Sequence, residues 1–352
     1  MSKKNETSVL VITLLITLGL VGTIYWWLAN SSGINLDGIT GNRTQTFTNT
    51  NNLTSTKKTS LKNFSEVKDV PSGLFSYGGS TTWAPIRNLT EELIEGTFPK
   101  FEMRYTNPTS GSPGSGTGIK MLLSDELAFS QSSRSLKDKE YQKAKSLDFN
   151  LKQIPIAIDG IAIAVNPNLN IPGLTIEQLK NIYTGKITNW NQVGGANIPI
   201  IAYSKKNEGG TVEFFVKNVL QKESFAENIQ SIQSTTEGLR KVASNQGGIY
   251  YASAPEVVGQ CGVKSLPIGR TSNQLIPPYQ EPFVPLTKCP QQRNKLNVTA
   301  FRNGDYPMTR RLFIIVKQNQ QLDQRAGEAY ANLLLTEEGQ KLISEAGFVR
   351  IR

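Results

Sequence analysis

The sequence contains no histidine, and this absence narrows the possible functions before any motif is considered. Without an imidazole the chain can form neither a Ser-His-Asp triad nor a Cys-His pair, and it lacks the commonest general base. Only two cysteines occur, which disfavours a metal site built from thiolates. The composition therefore favours a protein that binds over one that catalyses, and it predicts no metal and no cofactor.

Acidic residues are fewer than basic ones, since 28 Asp and Glu stand against 38 Lys and Arg and leave a net charge of +10. This excess would suit nucleic acid, an anionic membrane surface or a small anionic ligand. The basic residues are scattered, without a dense run or interleaved aromatic residues, so nucleic-acid binding is disfavoured. At 352 residues the chain is long enough for a soluble body with two separate cores.

The one long hydrophobic run lies at the N-terminus. It covers residues 9–28, follows two lysines and closes on the aromatic residues Tyr25, Trp26 and Trp27. We predict that residues 1–30 form a retained transmembrane anchor, which places the remaining chain on the periplasmic or extracellular face of the plasma membrane. A cleaved signal peptide is the alternative, although the bulky residues at the end of the run offer no small-x-small cleavage site.

Residues 31–70 are rich in Ser, Thr, Asn and Gly, with few apolar residues and no helical or strand period. We predict a disordered stalk that keeps the following body mobile near the membrane.

Cys261 and Cys289 lie 28 positions apart in the part of the chain that we expect to be exported. Oxidising compartments favour disulfides, so we predict that these two cysteines pair. Two buried free thiols are the alternative.

Short apolar segments alternate with amphipathic ones from about residue 71 onward, which predicts an α/β fold. Predicted strands cover Gly73–Tyr77, Ile156–Val165, Ile198–Tyr203 and Leu312–Lys317. Predicted helices cover Asn88–Gly96, Thr175–Tyr183, Thr211–Leu220, Thr236–Ala243 and Gln324–Ala346.

Three loops rich in glycine and hydroxyl residues each precede a helical segment. They are residues 77–85, 111–120 and 205–211, and the last also carries Lys205 and Lys206. Small residues let the backbone approach a ligand, and a helix start offers N–H groups and a dipole that favour an anion. Each loop alone could be an ordinary turn or a flexible surface loop. Their repetition favours an oxyanion site that is shielded from water.

Several further segments carry a family resemblance. Residues 179–190 read LKNIYTGKITNW, residues 247–251 read GGIYY and residues 306–310 read YPMTR. With the loops YGGSTTWAP and GSPGSGTG, these segments resemble the phosphate-binding proteins of ABC phosphate importers, within the type II periplasmic solute-binding fold. The resemblance implies two α/β lobes with a hinge and an interlobe ligand cleft, and capture of phosphate for the importer permease by lobe closure. No chemical reaction is implied, so an enzyme is not expected.

The resemblance also implies a role in ligand binding for particular residues. In chain order these are Thr82, Trp83, Ser115, Gly116, Thr117, Gln131, Arg134, Lys205, Gly209, Gly210 and Thr211. Three positions depart from the family pattern, because Lys205 replaces an arginine, Gly209 a serine and Gln131 an aspartate that accepts the proton of hydrogen phosphate. A carboxylate at position 131 would repel a fully deprotonated anion, so its loss predicts weaker discrimination against sulfate. Arg134 would compensate with a two-pronged contact.

The resemblance places hinges near residues 159–160 and 309–311. Lobe I would then comprise residues 71–159 and 312–352, and lobe II would comprise residues 160–311. A membrane-anchored oxyanion sensor or scaffold that is not coupled to a permease is the alternative function. A phosphoester hydrolase is disfavoured because no histidine, metal cluster or serine relay can be assembled. We expect a monomer.

Overall fold

The computed structural model describes residues 61–205 and 209–352. The predicted anchor, residues 9–28, and the predicted stalk up to residue 60 lie outside the described residues. Among the described residues, no helix combines the length and the apolar character that crossing a bilayer requires.

The end of the predicted stalk packs against the body, which corrects the prediction of disorder for residues 61–70. Phe64–Glu66 forms a 3-10 helix, and Phe64 and Val67 are buried. The backbone N–H of Phe64 donates to the Glu338 carboxylate at 2.8 Å. The segment carries four apolar residues three positions apart, namely Leu61, Phe64, Val67 and Val70. This short run lies at the end of a long polar stretch, and the composition of the whole stretch led to the prediction of disorder.

Strands and helices alternate along the body, which confirms the α/β prediction. The strands are β1 (Gly73–Gly79), β2 (Phe101–Tyr105), β3 (Phe129–Ser132), β4 (Asn150–Val165), β5 (Leu174–Thr175), β6 (Ile201–Lys205), β7 (Gln230–Ile232), β8 (Gly248–Ser253), β9 (Lys264–Leu266), β10 (Ile268–Gly269), β11 (Leu275–Ile276), β12 (Thr309–Gln318) and β13 (Val349–Arg350).

The helices of the body are mostly short. They are α1 (Ala84–Thr97), α2 (Ser115–Leu123), α3 (Asp138–Lys145), α4 (Ile176–Tyr183), α5 (Gly210–Asn218), α6 (Thr235–Ser244), α7 (Ala254–Val257), α8 (Val298–Asn303), α9 (Leu322–Leu334) and α10 (Glu337–Glu345). Three further 3-10 helices are Thr81–Trp83, Trp190–Val193 and Leu286–Lys288.

The helix predicted over residues 324–346 is two helices, α9 and α10. The helical segment is interrupted at Thr336. Its hydroxyl donates to the Leu333 carbonyl at 2.7 Å and accepts a hydrogen bond from the Gly339 N–H at 3.0 Å. This side chain caps the start of α10, as threonine commonly does. The amphipathic period continues across the break, and for that reason the pattern predicted one helix.

Ten strands form one sheet, in which β2, β1, β3, β12, β4, β8, β6 and β7 follow in that order and β13 and β9 also pair with β4. A small second sheet contains β11, β10 and β5. β4 and β12 run antiparallel at the centre, with Arg310 opposite Asp159 and Thr309 opposite Gly160. Residues 161–165 of β4 are fully buried, as expected for a central strand covered on both faces.

Buried apolar residues form two large clusters, and these clusters define the two lobes. The cluster of lobe I draws on residues 64–157 and 312–348, and a smaller cluster beneath α2 and α3 adjoins it. The cluster of lobe II draws on residues 161–308 together with Val349. The chain therefore passes between the lobes within β4 and at the start of β12.

Two sequence motifs meet inside lobe II. Trp190 is fully buried, and its indole N–H donates to the Gly247 carbonyl at 3.1 Å.

Cys261 and Cys289 form a disulfide with Cα atoms 5.8 Å apart, which confirms the predicted pairing.

The first two glycine-rich loops touch at a point that admits no side chain. A Cβ on Gly118 would lie 2.4 Å from the Gly79 Cα and 2.6 Å from the Ser130 Oγ. Gly118→Ala should therefore lower the free energy of unfolding by about 1–3 kcal/mol, as overpacking does. Urea unfolding followed by tryptophan fluorescence measures this change.

Gly96→Ala is the matched control, because Gly96 lies in α1 and a Cβ there would have no atom within 4 Å outside the helix's own backbone. This change should be neutral or stabilising by about 0.5–1 kcal/mol. Equal losses of stability in the two variants would contradict the close approach of the loops.

Candidate functional site

A buried ion pair lies where the chain passes between the lobes. Arg310 on β12 and Asp159 on β4 are 3% and 0% exposed, and Arg310 Nε donates to Asp159 Oδ2 at 2.9 Å. Ser253 donates to the other carboxylate oxygen at 2.6 Å. Burial raises the pKa of Asp159, while Arg310 and Ser253 favour its charged form. The pair holds a guanidinium group at a fixed place in the interior.

Arg310 Nη2 lies 2.8 Å from Asp159 Oδ2 and also contacts both lobes. Nη2 donates to Thr82 Oγ1 at 3.1 Å and to Thr211 Oγ1 at 3.0 Å. Thr82 belongs to the 3-10 helix that follows β1 in lobe I, and Thr211 lies in the first turn of α5 in lobe II. Nη1 is buried and has no hydrogen-bond partner among the described residues. A buried donor of this kind is costly unless a ligand or water accepts from it.

Three serine hydroxyls form a buried cluster in lobe I. Ser80 Oγ donates to Ser133 Oγ at 2.9 Å, and Ser133 Oγ lies 3.1 Å from Ser115 Oγ. The Ser133 N–H also donates to Ser115 Oγ, at 3.0 Å. All three side chains are at most 1% exposed. Hydroxyl groups can reorient, so this cluster can donate to an anion without adding charge.

The first turn of α5 lies against this serine cluster. A Cβ on Gly210 would lie 2.0 Å from Ser133 Oγ and 2.9 Å from Ser115 Oγ, so only glycine allows this approach. Gly209 is the N-cap residue of α5, and Gly114 is that of α2. The starts of two helices, with their exposed N–H groups and positive dipole ends, thus converge on the same hydroxyls.

Arg134 does not face this cluster. Its guanidinium forms two hydrogen bonds to Glu140, at 2.9 and 2.7 Å, and its Nε lies 2.7 Å from Glu213 Oε2. Burial disfavours the charge on Glu140, yet the bonds from Arg134 and from the Lys137 N–H outweigh this effect and lower the pKa of its carboxyl. Arg134 therefore directs its two Nη groups at Glu140, while its Nε lies within ion-pair distance of Glu213 without the geometry of a hydrogen bond. We expected a two-pronged contact with an anion instead.

Gln131 also points elsewhere. Its side chain is fully buried, accepts from Arg87 Nη1 at 2.8 Å and donates to the Tyr330 hydroxyl at 3.1 Å. Ser133, two residues later, presents its side chain to the cluster. Gln131 therefore contacts Arg87 and Tyr330, and the side chain of this β3 segment that reaches the serine cluster is that of Ser133.

The other residues singled out in the sequence lie at the edge of the site. Trp83 is buried and its indole donates to the Ser132 carbonyl at 3.2 Å. Thr117 donates to Ser112 within its own loop at 3.0 Å, and Gly116 lies beneath the Arg134 side chain. Lys205 ends β6 and is half-buried, immediately before the undescribed residues 206–208.

Sequence reasoning missed Arg310, Asp159, Ser80 and Ser133 as members of the site. The sequence YPMTR, which ends at Arg310, indicated a family resemblance but no role for its arginine. The pairing of Arg310 with Asp159 depends on the antiparallel register of β4 and β12, which the sequence does not show. Ser80 lies inside the first predicted loop, so its hydroxyl was an available signal.

A family model described as a PBP superfamily domain matches residues 52–338. The chain belongs to the PBP superfamily. Its fold is the two-lobed α/β fold of periplasmic binding proteins, as the resemblance implied.

Curated relatives match about three quarters of the chain. The phosphate-binding protein PstS of Staphylococcus haemolyticus is 29% identical over 284 residues, which cover 77% of this chain and 79% of that protein. The PstS protein of Staphylococcus epidermidis is 28% identical over 275 residues, or 77% of each chain.

Solved structures show the same fold at lower identity. A putative phosphate ABC transporter substrate-binding protein with bound phosphate from Clostridium perfringens superposes with a TM-score of 0.63 at 24% identity, covering 80% of this chain and 100% of that one. An ABC-type phosphate transport receptor from Vibrio cholerae gives a TM-score of 0.62 at 24% identity, covering 78% of this chain and 99% of that one.

Arg310→Gln should destabilise this PBP superfamily protein by about 3–5 kcal/mol, because Asp159 would remain buried without its charged partner. Adding Asp159→Asn should recover much of this loss by removing the stranded charge. Urea unfolding measures both variants.

Arg311→Gln is the matched control, since Arg311 is the next residue of β12 and is exposed. It should change stability by less than about 0.5 kcal/mol. A double variant as unstable as Arg310→Gln alone would show that the buried charge is not the cause.

Proposed function

We propose that this protein captures inorganic phosphate between its lobes and delivers it to an ABC importer in the same membrane. The observation that carries this proposal is the buried Arg310 guanidinium, whose Nη1 has no partner among the described residues and whose Nη2 bridges Thr82 and Thr211. The PstS relatives bear the name phosphate-binding protein, and the family is one of substrate-binding proteins, not enzymes.

The proposed ligand groups come from both lobes. Arg310 supplies the charge, while hydroxyls and helix starts supply neutral donors. The set is Thr82, Ser115, Ser133, Gly210, Thr211 and Arg310. An anion that collects donors from both lobes stabilises the closed arrangement over the open one, and this difference signals occupancy to the importer.

Other residues from the sequence analysis take different places in this proposal. Lys205 and Gly209 remain proposed ligands of the third loop, next to the undescribed residues 206–208. Arg134 and Gln131 support the site through protein contacts instead of touching the anion. Discrimination between phosphate and sulfate would then depend on Ser133 and its neighbours.

We propose hinges at residues 158–160 and 309–311, because the apolar clusters of the two lobes meet there. Lobe I would comprise residues 61–159 and 312–352, and lobe II residues 160–311. The start of lobe I moves from residue 71 to residue 61 because Phe64 and Val67 are part of its core.

The N-terminal run supports a further proposal, that residues 9–28 anchor the body to the membrane. The full-length chain should sediment with membranes after an alkaline carbonate wash, whereas a variant without residues 9–28 should not. A mature N-terminus near residue 30, found by peptide sequencing, would instead show cleavage of a signal peptide.

The full-length chain in mild detergent, dialysed free of bound anion, should bind phosphate with a micromolar or lower Kd in calorimetry. Sulfate should bind at least about a hundredfold more weakly, which corresponds to a difference of about 2.7 kcal/mol. No binding of phosphate, or tighter binding of sulfate, would refute the proposed ligand and leave the fold assignment intact.

Thr211→Val should weaken phosphate binding roughly tenfold, because it removes a hydroxyl that meets Arg310 while preserving shape. Thr236→Val is the matched control, since Thr236 is also the second residue of a helix and is exposed. Equal affinities for the two variants would exclude Thr211 from the site.

A further inference from the structure

An ion-pair cluster joins the two lobes beside the proposed phosphate site. Glu213, in the first turn of α5, lies 2.7 Å from Arg134 Nε and 3.2 Å from Lys137 Nζ. α5 packs into the core of lobe II through Phe215, whereas Arg134 and Lys137 follow β3 in lobe I. The contact therefore exists only while the lobes are together.

Contacts within lobe I hold the Arg134 guanidinium in place independently of Glu213. Glu140 fixes the Arg134 guanidinium with two hydrogen bonds, and the Lys137 N–H binds the same carboxylate at 2.7 Å. Arg134 also donates to the Ser135 carbonyl at 2.9 Å. A pre-oriented guanidinium loses little conformational freedom when it pairs, so the contact retains more of its electrostatic energy.

The cluster is incomplete without lobe II. Arg134 and Lys137 carry two positive charges, and Glu140 alone supplies only one negative charge from lobe I. The side chains of Arg134 and Glu213 are 12% and 21% exposed, so water screens their attraction much less than at an open surface. Separation of the lobes would leave an unbalanced positive charge on one side and Glu213 on the other.

Glu213 also stands three residues after Gly210, whose Cα approaches the serine cluster. Gly116 lies directly beneath the pair, since a Cβ there would be 3.4 Å from Glu213 Oε1 and 3.5 Å from Arg134 Nη2. Glu213 thus lies in the same helix turn as Thr211, and the ion pair lies close to Gly116, the residue after Ser115.

We propose that Glu213 is a positioning residue for anion capture: its pairing with Arg134 and Lys137 holds the first turn of α5 against lobe I and so prolongs the closed state. This role rests on the proposed function, because it acts on the affinity for phosphate. In this proposal neither the Glu213 carboxylate nor the Arg134 guanidinium touches the anion.

Glu213→Gln, made in the full-length chain, tests this role. Phosphate affinity should fall roughly tenfold, mainly through faster dissociation, because the closed state loses an interlobe ion pair while the ligand groups remain. Stopped-flow measurements separate the two rate constants. Glu177→Gln is the matched control, since Glu177 is also acidic, exposed and in the first turn of a lobe II helix; it should leave both rates unchanged.

A second measurement does not need phosphate binding. Spin labels on Glu92→Cys in lobe I and Glu227→Cys in lobe II, both exposed positions, report the interlobe distance of the ligand-free chain by pulsed electron resonance. Glu213→Gln should shift this distribution toward longer distances, and Arg134→Gln should add little to that shift because the two changes remove the same pair.

The outcomes separate the two proposals. If the wild-type chain does not bind phosphate but Glu213→Gln still lengthens the interlobe distance, the proposed ligand fails, and only the contact that Glu213 makes between the lobes is confirmed. If phosphate binds and Glu213→Gln changes neither the dissociation rate nor the distance distribution, the positioning role is refuted.

Discussion

The buried pair of Asp159 and Arg310 is the interaction on which the site depends. An isolated guanidinium in a protein interior is strongly disfavoured, and the Asp159 carboxylate opposite it in the β4–β12 ladder offsets part of that cost. The pairing occupies Nε and one side of Nη2. Nη2 also meets Thr82 and Thr211, whereas Nη1 has no hydrogen-bond partner among the described residues. The same two strands carry the chain between the lobes, so the charged group and the connection between the lobes share one structural element.

Around this pair the donors are mostly neutral. Ser80, Ser115 and Ser133 form one hydroxyl cluster, and the start of α5 at Gly210 closes against it. Hydroxyl groups and the N–H groups of helix starts can provide several hydrogen-bond donors close together. They do so without the mutual repulsion that clustered cations would create. Gly210 and Ser133 meet across the lobes, and both belong to the set of residues that we propose as ligand groups.

Much of this arrangement could be predicted from the sequence, because it depends on local patterns. Local sequence patterns indicated the alternation of strands and helices and the glycine-rich loops with Thr82, Ser115 and Thr211. The disulfide could be predicted because the chain has only two cysteines. Arg310 could not be given its role in this way, since its partners lie 99 to 228 residues away along the chain. Arg134 was expected to bind the anion because a pattern shows a free cation and does not show the carboxylates that the fold brings to it.

The excess of basic residues in the sequence does not account for the site. Asp159 balances Arg310, and two carboxylates balance the two cations of the interlobe cluster. In the proposed function an anion would therefore be stabilised by directed donors, and the net charge of +10 would act over longer range, by raising the rate of encounter. Selectivity among tetrahedral anions must then follow from the direction and number of the hydroxyl and N–H donors. Glycine is needed at position 210 for a steric reason, because a side chain there would displace the hydroxyls of Ser133 and Ser115.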